Sequence, residues 1–261
     1  MKTIILLVHF GTANKKAIKN AIYTLENEVK EQVGNQYEVR NCFMLKRICT
    51  ILKEKDDINI EHFVDVLENI KKEGFENIII QPAYFMIGDE SKRIELIMNN
   101  YIDDFKSIKI GNPLIYGQKE TLDKTCDKVL NAIIKNTEDS SNKLFIGHGS
   151  TKHSNKEYRV FEERLKVLYK ENIIVGTLAG ENNLEYTVEE IKKQKIDKLQ
   201  INLLFMLIGK HVKNDIIKGE NSWCNTIKNL GIDVEVVEKS LLEYKEVRDI
   251  FIARIKDIIS K

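Results

Sequence analysis

Short apolar runs rich in β-branched residues alternate along the chain with longer segments in which apolar residues recur every three or four positions. The first pattern is typical of buried strands and the second of amphipathic helices, so their alternation predicts parallel strands joined by crossover helices. The predicted strands are Ile4–Val8, Tyr37–Phe43, Asn77–Gln81, Ile108–Gly111, Leu144–Ile146, Ile173–Thr177, Leu199–Leu204 and Asp233–Val237. The predicted helices include Lys15–Val33, Glu61–Glu73, Ser91–Phe105, Asn155–Lys170, Leu184–Gln194 and Ser222–Asn229.

A polar segment, Thr137–Asn142, separates these strands into two sets of four, and the chain repeats itself across it. A constant offset of 121 residues relates Phe85–Glu90 to Met206–His211, so Glu90 and His211 take equivalent places. We predict an α/β fold of two similar Rossmann-like or flavodoxin-like domains, each a four-stranded parallel sheet flanked by helices, with a cleft between the domains. The predicted domains are residues 1–136 and 143–261, with terminal helices that are able to cross to the other domain.

Charge and composition exclude several classes of partner. The 41 Lys and Arg residues nearly balance the 40 Asp and Glu residues, and the net charge of +1 disfavours a nucleic-acid binder that works through a large positive field. No apolar run approaches the length of a membrane span, so we expect neither a nucleic-acid nor a membrane partner. The four cysteines lack paired spacing and no signal-peptide core is present, which favours a cytoplasmic protein with reduced thiols.

Three of the five histidines follow predicted strands: His9, His148 and His211. The carboxyl ends of parallel strands border the ligand crevice, so we expect these histidines and Glu90 to lie at the cleft, with His9 and His148 at corresponding strand ends. Imidazole and carboxylate groups bind divalent transition-metal ions and accept protons near neutral pH. The alternative for each histidine is a structural role, in which the buried ring is hydrogen-bonded within a tight strand-to-helix turn.

The two other histidines are expected to have no role in the site. His62 falls inside a predicted helix, and His153 is expected to cap the helix that starts near Asn155.

The common cofactor and hydrolase motifs are missing from the sequence. The chain has no G-x-G-x-x-G after a strand, no P-loop and no G-x-S-x-G elbow, so the sequence does not support dinucleotide binding, nucleotide binding or serine-hydrolase activity.

Several short motifs occur in an order and spacing that together are specific. They are Phe10-Gly11-Thr12, Glu73-Gly74-Phe75, Gly88-Asp89-Glu90, Gly147-His148-Gly149, Asn155 with Tyr158, Val175-Gly176-Thr177, His211 with Asn214-Asp215, and Ser222-Trp223. In these features the chain resembles the anaerobic cobalt chelatases, which insert Co²⁺ into sirohydrochlorin and share the bilobal fold of ferrochelatase. The resemblance covers nearly the whole chain.

The resemblance implies that His148 and His211 bind the metal together with a glutamate of the second domain. The turn that holds this glutamate in the family reads Gly176–Gly180 here and has Ala179 in the glutamate's place. Glu181 is the expected substitute, since alternate residues of an extended segment share a face.

Other positions also depart from the family pattern. Lys210 stands where an aspartate usually precedes His211, His9 stands where a small hydroxyl residue is common, and a histidine expected near Tyr84 is absent. The loss of the glutamate at position 179 and the gain of Lys210 make the second-domain site more positive, which disfavours a resident divalent cation and favours an anionic ligand. The carboxylates of a tetrapyrrole are therefore expected to contact a set of basic residues: His9, Lys152, Lys210, Lys213 and Arg93.

The function implied by the resemblance is a tetrapyrrole metal chelatase that inserts Co²⁺ into sirohydrochlorin for cobalamin synthesis. His148, His211 and Glu90 are the expected catalytic groups, Co²⁺ is the substrate metal, and no organic cofactor is expected. The alternatives are a chelatase for Fe²⁺ or Ni²⁺, a non-catalytic tetrapyrrole or haem carrier, and a bilobed solute-binding protein, against which the missing export signal counts. The sequence leaves the metal and the oligomeric state open, including a homo-oligomer.

Overall fold

The computed structural model describes residues 2–134, 142–151, 155–168 and 172–261. The chain forms two compact units, Met1–Tyr116 with Lys245–Lys261, and Gly117–Tyr244. The boundary lies earlier than in the predicted domains 1–136 and 143–261, because the helix after Gly117 belongs to the second unit. The C-terminal helix belongs to the first unit, a crossing that the prediction allowed. Within the described ranges, no helix combines the length and the apolar character that crossing a bilayer requires.

The first unit contains a five-stranded parallel sheet in the order β3-β2-β1-β4-β5. Its strands are β1 (Thr3–His9), β2 (Tyr37–Phe43), β3 (Glu61–His62), β4 (Asn77–Pro82) and β5 (Ser107–Ile110). Its helical segments before residue 116 are α1 (Lys15–Ala17), a π-helix (Ile18–Ile22), α2 (Tyr23–Val33), α3 (Lys46–Asp56), α4 (Phe63–Lys72), α5 (Asp89–Met98) and a 3₁₀ turn (Asn99–Tyr101).

The second unit contains a four-stranded parallel sheet in the order β7-β6-β8-β9. Its strands are β6 (Asn142–Gly149), β7 (Ile173–Ala179), β8 (Lys198–Leu203) and β9 (Asp233–Val237). Its helical segments are α6 (Glu120–Ile134), α7 (Lys156–Leu168), α8 (Leu184–Lys193), α9 (Lys210–Val212), a π-helix (Lys213–Lys218), α10 (Trp223–Lys228) and a 3₁₀ turn (Leu241–Glu243).

Without β3, the first sheet has the order β2-β1-β4-β5, which corresponds strand for strand to the order β7-β6-β8-β9 of the second sheet. In both sheets the first strand of the unit lies in the interior. The offset of 121 residues holds across β4 and β8, because Asn77 and Pro82 bound the first strand as Lys198 and Leu203 bound the second. The internal repeat read from the sequence is therefore a repeat of topology.

One face of each sheet packs against a helix that comes after β4 in the first unit and after β8 in the second. Ile4, Leu6 and Val8 alternate along β1 and pack in one cluster with Ile94 and Met98 of α5. In the second unit Leu144 and Ile146 of β6 belong to a cluster that contains Trp223 and Ile227 of α10. The apolar runs of β1 and β6 are buried without interruption, as predicted for parallel strands that are covered on both faces.

The C-terminal helix α11 (Lys245–Ile259) completes the first unit. Its Arg248, which is 7% exposed, donates two hydrogen bonds to the Glu28 carboxylate of α2, from Nε to Oε2 at 2.7 Å and from Nη2 to Oε1 at 2.9 Å. Arg254 donates to the backbone carbonyls of Asn112 at 3.0 Å and Leu114 at 2.8 Å. A loop and two helices distant in sequence are thus joined by charged hydrogen bonds.

All eight predicted strands are present within a few residues of their predicted bounds. The prediction of four strands in the first sheet was wrong by one, since the two residues of β3 extend it at the edge of β2. Two residues carry too little alternation to indicate a strand. His62 lies in β3 and immediately precedes α4, so its predicted place inside a helix was also wrong.

Candidate functional site

A pocket of about 420 Å³ lies in the second unit at the carboxyl ends of β6 and β7. Eight residues line it: His148, Leu178, Ala179, Leu184, Asn214, Asp215, Asn221 and Trp223. Among the side chains that the structure describes, the pocket brings together the His148 imidazole, the Asp215 carboxylate and the alanine that replaces the expected glutamate. Its other lining groups are amides and apolar side chains.

His148 projects from the end of β6 because both its neighbours are glycines. A side chain at Gly147 would collide with the ring of Tyr158, and Gly149 adopts a φ of +68°, which disfavours residues with a Cβ. The backbone N–H of Gly149 also donates to the Tyr158 hydroxyl at 3.4 Å. The backbone at the end of β6 is therefore tightly packed against Tyr158, while the His148 side chain is exposed.

The tautomer of His148 suits metal binding. Its Nδ1 lies 2.9 Å from the Gly149 carbonyl oxygen, and because a carbonyl only accepts, Nδ1 carries the proton and donates. Nε2 then carries the lone pair that a metal ion or a proton takes up.

Asn155 joins the loop after His148 to the end of β7. Its Oδ1 accepts from the Ser150 N–H at 2.9 Å, and its Nδ2 donates to the carbonyls of Ser150 at 3.4 Å and Ala179 at 3.3 Å. One amide side chain thus holds both walls of the pocket at His148 and at Ala179.

Replacing Asn155 with alanine is expected to lower the free energy of unfolding by about 1–3 kcal/mol, because the Ser150 N–H and two carbonyls lose their partner. Urea unfolding measures this change. Asn155→Asp retains the acceptor for Ser150 and loses both donated bonds, so an intermediate loss is expected. Equal stability of Asn155→Ala and the wild type would contradict the role assigned to this amide.

His211 lies at the second position of α9, after Gly209, which is the N-cap residue with extended backbone. Glu90 takes the same position in α5, after the N-cap Gly88. The structure thus places the Glu90 and His211 backbones at equivalent helix starts. Lys210 is exposed at the first position of α9, and Lys213 begins the π-helix that follows.

The π-helix Lys213–Lys218 brings two further polar groups to the pocket, Asn214 and Asp215. The Gly219 N–H bonds to the Asn214 carbonyl at 3.0 Å, five residues back, which is the wide turn of a π-helix. Such turns recur at functional sites because they shift side chains relative to a regular helix. Asp215 is the carboxylate that the structure places in the pocket with His148.

Glu181, the predicted substitute for the missing glutamate, lies elsewhere. It lines a separate pocket with Arg159, and its carboxylate is 3.8 Å from the Arg159 guanidinium. Its side chain is 85% exposed. Gly180, which has a φ of +103°, stands between Ala179 and Glu181 and redirects the chain. Among the described residues, no three His, Cys, Asp or Glu side chains are arranged to hold a metal ion.

The remaining predicted contacts are dispersed. Arg93 is exposed on α5 of the first unit, and one buried oxygen of Glu90, Oε2, has no hydrogen-bond partner. Lys152 and His153 lie outside the described residues.

His9 is fully buried and belongs to a polar network rather than to the surface. Its Nε2 donates to Asn41 Oδ1 at 2.9 Å, since the Asn41 amide nitrogen donates to the Glu26 carboxylate. The predicted correspondence of His9 and His148 was wrong by one residue. Val8 pairs with Pro82 and Ile146 pairs with Leu203, so Phe10, and not His9, takes the position of His148.

Burial lowers the pKa of His9 to about 4, against a smaller raising effect of the hydrogen bond to Asn41. The unfolded chain protonates this histidine near pH 6.5 while the folded protein does not, so stability falls as the pH drops from about 6.5 towards 4. His9→Gln removes the titration, and we expect its free energy of unfolding to be less pH-dependent by up to ~1.4 kcal/mol per pH unit. Urea unfolding at pH 7, 6 and 5 tests this, and parallel curves for both proteins would refute it. The nearby Glu26 carboxylate is present in both the wild type and His9→Gln, so its own effect on the pH dependence cancels when the two proteins are compared.

A comparison with protein families shows which family this chain belongs to. The family model described as cobalt chelatase (CbiK) matches residues 3–260. The chain belongs to the CbiK family of cobalt chelatases. The resemblance read from the motifs is thereby confirmed.

Individual relatives of this CbiK family member are distant in sequence and similar in fold. The sirohydrochlorin cobaltochelatase of Salmonella typhimurium is 19% identical over 261 residues, which cover 100% of this chain and 97% of that protein. The sirohydrochlorin chelatase SirB from Bacillus subtilis subspecies spizizenii, solved in complex with cobalt, matches with a TM-score of 0.67 and 15% identity over 98% of this chain and 95% of SirB. SirB from Bacillus subtilis with Fe³⁺ gives a TM-score of 0.64 at 15% identity over the same shares. These likenesses confirm the predicted α/β chelatase fold.

Two polar groups of this CbiK family member received no role from the sequence. Asp215 occurs in one of the short motifs with His211 and Asn214, but its place in the pocket depends on the π-helix Lys213–Lys218, which the motif does not predict. Tyr84, whose buried hydroxyl has no partner, carries no such signal, because an aromatic residue after a buried strand reads as core.

Proposed function

We propose that the protein inserts Co²⁺ into sirohydrochlorin. The match of the cobalt chelatase family model to residues 3–260 carries this proposal. The exposed His148 imidazole in a pocket that also holds a carboxylate supports it. In the reaction a divalent ion replaces two protons on the pyrrole nitrogens, so the protein must bind the ion, hold the macrocycle and accept two protons.

His148 and His211 are the proposed metal-binding groups, and each imidazole serves as a ligand or as a proton acceptor. Among the carboxylates predicted from the sequence or found in the structure, Asp215 lines the His148 pocket and Glu181 does not. We therefore assign the anionic ligand to Asp215. A single carboxylate offsets part of the charge of a divalent ion, and two imidazoles leave the ion able to transfer to a tetrapyrrole.

Glu90 is proposed as a proton acceptor from the first unit. Lys210, Lys213 and Arg93 are proposed contacts for the macrocycle's carboxylates, because two of them are exposed and all three carry the complementary charge. The reaction is redox-neutral, and no organic cofactor is part of the proposal.

The test is an absorbance assay of metal insertion with sirohydrochlorin and Co²⁺, Fe²⁺ or Ni²⁺ supplied in parallel. We expect insertion of Co²⁺ above the spontaneous rate. A rate equal to the spontaneous rate with every ion would exclude chelatase activity, and faster insertion of Fe²⁺ or Ni²⁺ would reassign the metal.

A tetrapyrrole carrier without catalysis is the second candidate. The alanine at position 179, where the resemblance places a metal-binding glutamate, favours it. A carrier binds the macrocycle stoichiometrically, and His148→Ala then leaves that binding unchanged and no insertion rate exists to be lost. Titration of sirohydrochlorin beside the insertion assay separates the two functions.

A further inference from the structure

The backbone of Gly149 connects a buried tyrosine to the ring of His148. The Gly149 N–H donates a hydrogen bond to the Tyr158 hydroxyl oxygen at 3.4 Å, and the Gly149 carbonyl accepts one from His148 Nδ1 at 2.9 Å. Tyr158 lies on α7, and His148 lies at the end of β6 beside the pocket. One glycine thus joins a phenol in the interior of the second unit to the imidazole that the pocket exposes.

Gly149 needs support to keep its conformation, because glycine is the residue with the greatest backbone freedom. Its backbone lies against β7, where a Cβ atom on Gly149 would be 2.0 Å from the Ala179 carbonyl oxygen and 2.6 Å from Thr177 Cβ. β7 therefore limits Gly149 on one side, and the hydrogen bond to Tyr158 restrains its N–H. The conformation of Gly149 decides where its carbonyl points, and hence whether His148 Nδ1 has this acceptor.

The Tyr158 side chain is itself held in one place. It is 5% exposed, and its ring lies so close to Gly147 that a Cβ atom there would be 2.2 Å from Cε1 and 2.6 Å from the hydroxyl oxygen. The pairing of β6 with β8 ends at Ile146, and the hydroxyl is a partner for the backbone beyond that point. Burial raises the pKa of Tyr158 to about 12, and hydrogen bonds from the backbone of Gly149 and His148 act against that rise. The hydroxyl oxygen is thus an acceptor for the end of the strand.

We propose that Tyr158 is a positioning residue for His148: through the backbone of Gly149, its hydroxyl keeps the imidazole in the tautomer whose Nε2 carries the lone pair. The hydrogen-bond partner behind a metal-binding histidine commonly fixes its tautomer and ring orientation. Here that partner is the carbonyl of a glycine, so a second contact must hold the carbonyl in place, and Tyr158 supplies it. This inference rests on the proposed chelatase function, in which His148 binds the metal ion.

The direct test is the tautomer of His148, which the ¹⁵N chemical shifts of the ring nitrogens report in the protein without substrate. The signals that disappear in His148→Ala identify this ring among the five histidines. We expect the proton on Nδ1 in the wild type and a mixture of both tautomers in Tyr158→Phe, which keeps the ring and loses the hydroxyl. Tyr158→Met is a second variant without the hydroxyl, with a side chain that adapts to the space. A wild-type proton on Nε2, or unchanged shifts in the variants, would overturn the proposal.

The insertion assay tests the consequence for the metal. Tyr158→Phe should raise KM for Co²⁺ about tenfold and leave KM for sirohydrochlorin within about twofold, because the hydroxyl acts on a metal ligand and not on the macrocycle. Because Tyr158 acts through His148, Tyr158→Phe should have no further effect in the His148→Ala background. An unchanged KM for Co²⁺, or the same tenfold rise in that background, would overturn the proposal.

Tyr101→Phe is the matched control. Tyr101 belongs to the first unit, is 8% exposed, and donates its hydroxyl proton to the Glu68 carboxylate at 2.8 Å. Tyr101→Phe and Tyr158→Phe should both lower the unfolding midpoint, since each loses a hydrogen bond of a tyrosine hydroxyl. Only Tyr158→Phe should change the His148 tautomer and KM for Co²⁺, and equal changes in Tyr101→Phe would overturn the proposal. The ¹⁵N spectrum needs no activity, so an inactive wild type would refute the chelatase function and leave the tautomer result readable.

Discussion

Replacement of His148 with alanine is expected to lower the rate of Co²⁺ insertion into sirohydrochlorin by about 100-fold or more. The imidazole stands exposed at the pocket, with Nδ1 committed to the Gly149 carbonyl and the lone pair on Nε2. The absorbance change at saturating macrocycle and varied Co²⁺ measures the effect.

The stability of His148→Ala should equal that of the wild type, since an exposed side chain leaves no cavity when it is shortened. Lys228→Ala, an exposed change in the same unit outside the pocket, is the control and should retain full activity. Full activity of His148→Ala would remove this histidine from the mechanism and move the site away from the pocket.

Introducing glutamate at position 179 is expected to tighten Co²⁺ binding by the protein about tenfold. Ala179 lines the same pocket as His148 and Asp215, so a second carboxylate there adds a ligand to the imidazole. Calorimetric titration of the macrocycle-free protein with Co²⁺ measures the change. Ala179→Gln has the same shape without the charge and should give little or no gain.

Glu181→Gln is the companion to this substitution. Because Glu181 faces Arg159 in a separate pocket, its loss should leave the Co²⁺ dissociation constant within about twofold. A tenfold weakening would restore Glu181 as the ligand that substitutes for the glutamate of the family. The pair of variants therefore decides which carboxylate serves the metal.

The fold was predictable from the sequence because parallel strands buried on both faces are uninterrupted apolar runs, and the offset of 121 residues made the two sheets visible as a repeat. His148 was predictable for a local reason: glycines on both sides leave its ring uncovered. His9 was not, because the sequence does not fix the register between strands, and a slip of one residue moves a side chain to the opposite face.

The positions of Glu181 and Asp215 depended on backbone features that alternation does not encode. Gly180 turns the chain after Ala179, and the π-helix at Lys213–Lys218 changes which side chains reach the pocket. The buried Tyr84 hydroxyl without a hydrogen-bond partner could not be predicted either, because only a structure shows which polar atoms are paired.

The return of α11 to the first unit sets the order in which the protein is completed during synthesis. Residues 117–244 form a continuous stretch and contain every strand of the second unit, so that unit has its whole sheet before α11 is made. The first unit, although its strands are synthesised earlier, lacks the Arg248 and Arg254 bonds until residues 245–259 have emerged from the ribosome. The later half of the chain is thus the first able to finish folding, and the earlier half must wait with Glu28 and the carbonyls of residues 112–114 without their arginine partners.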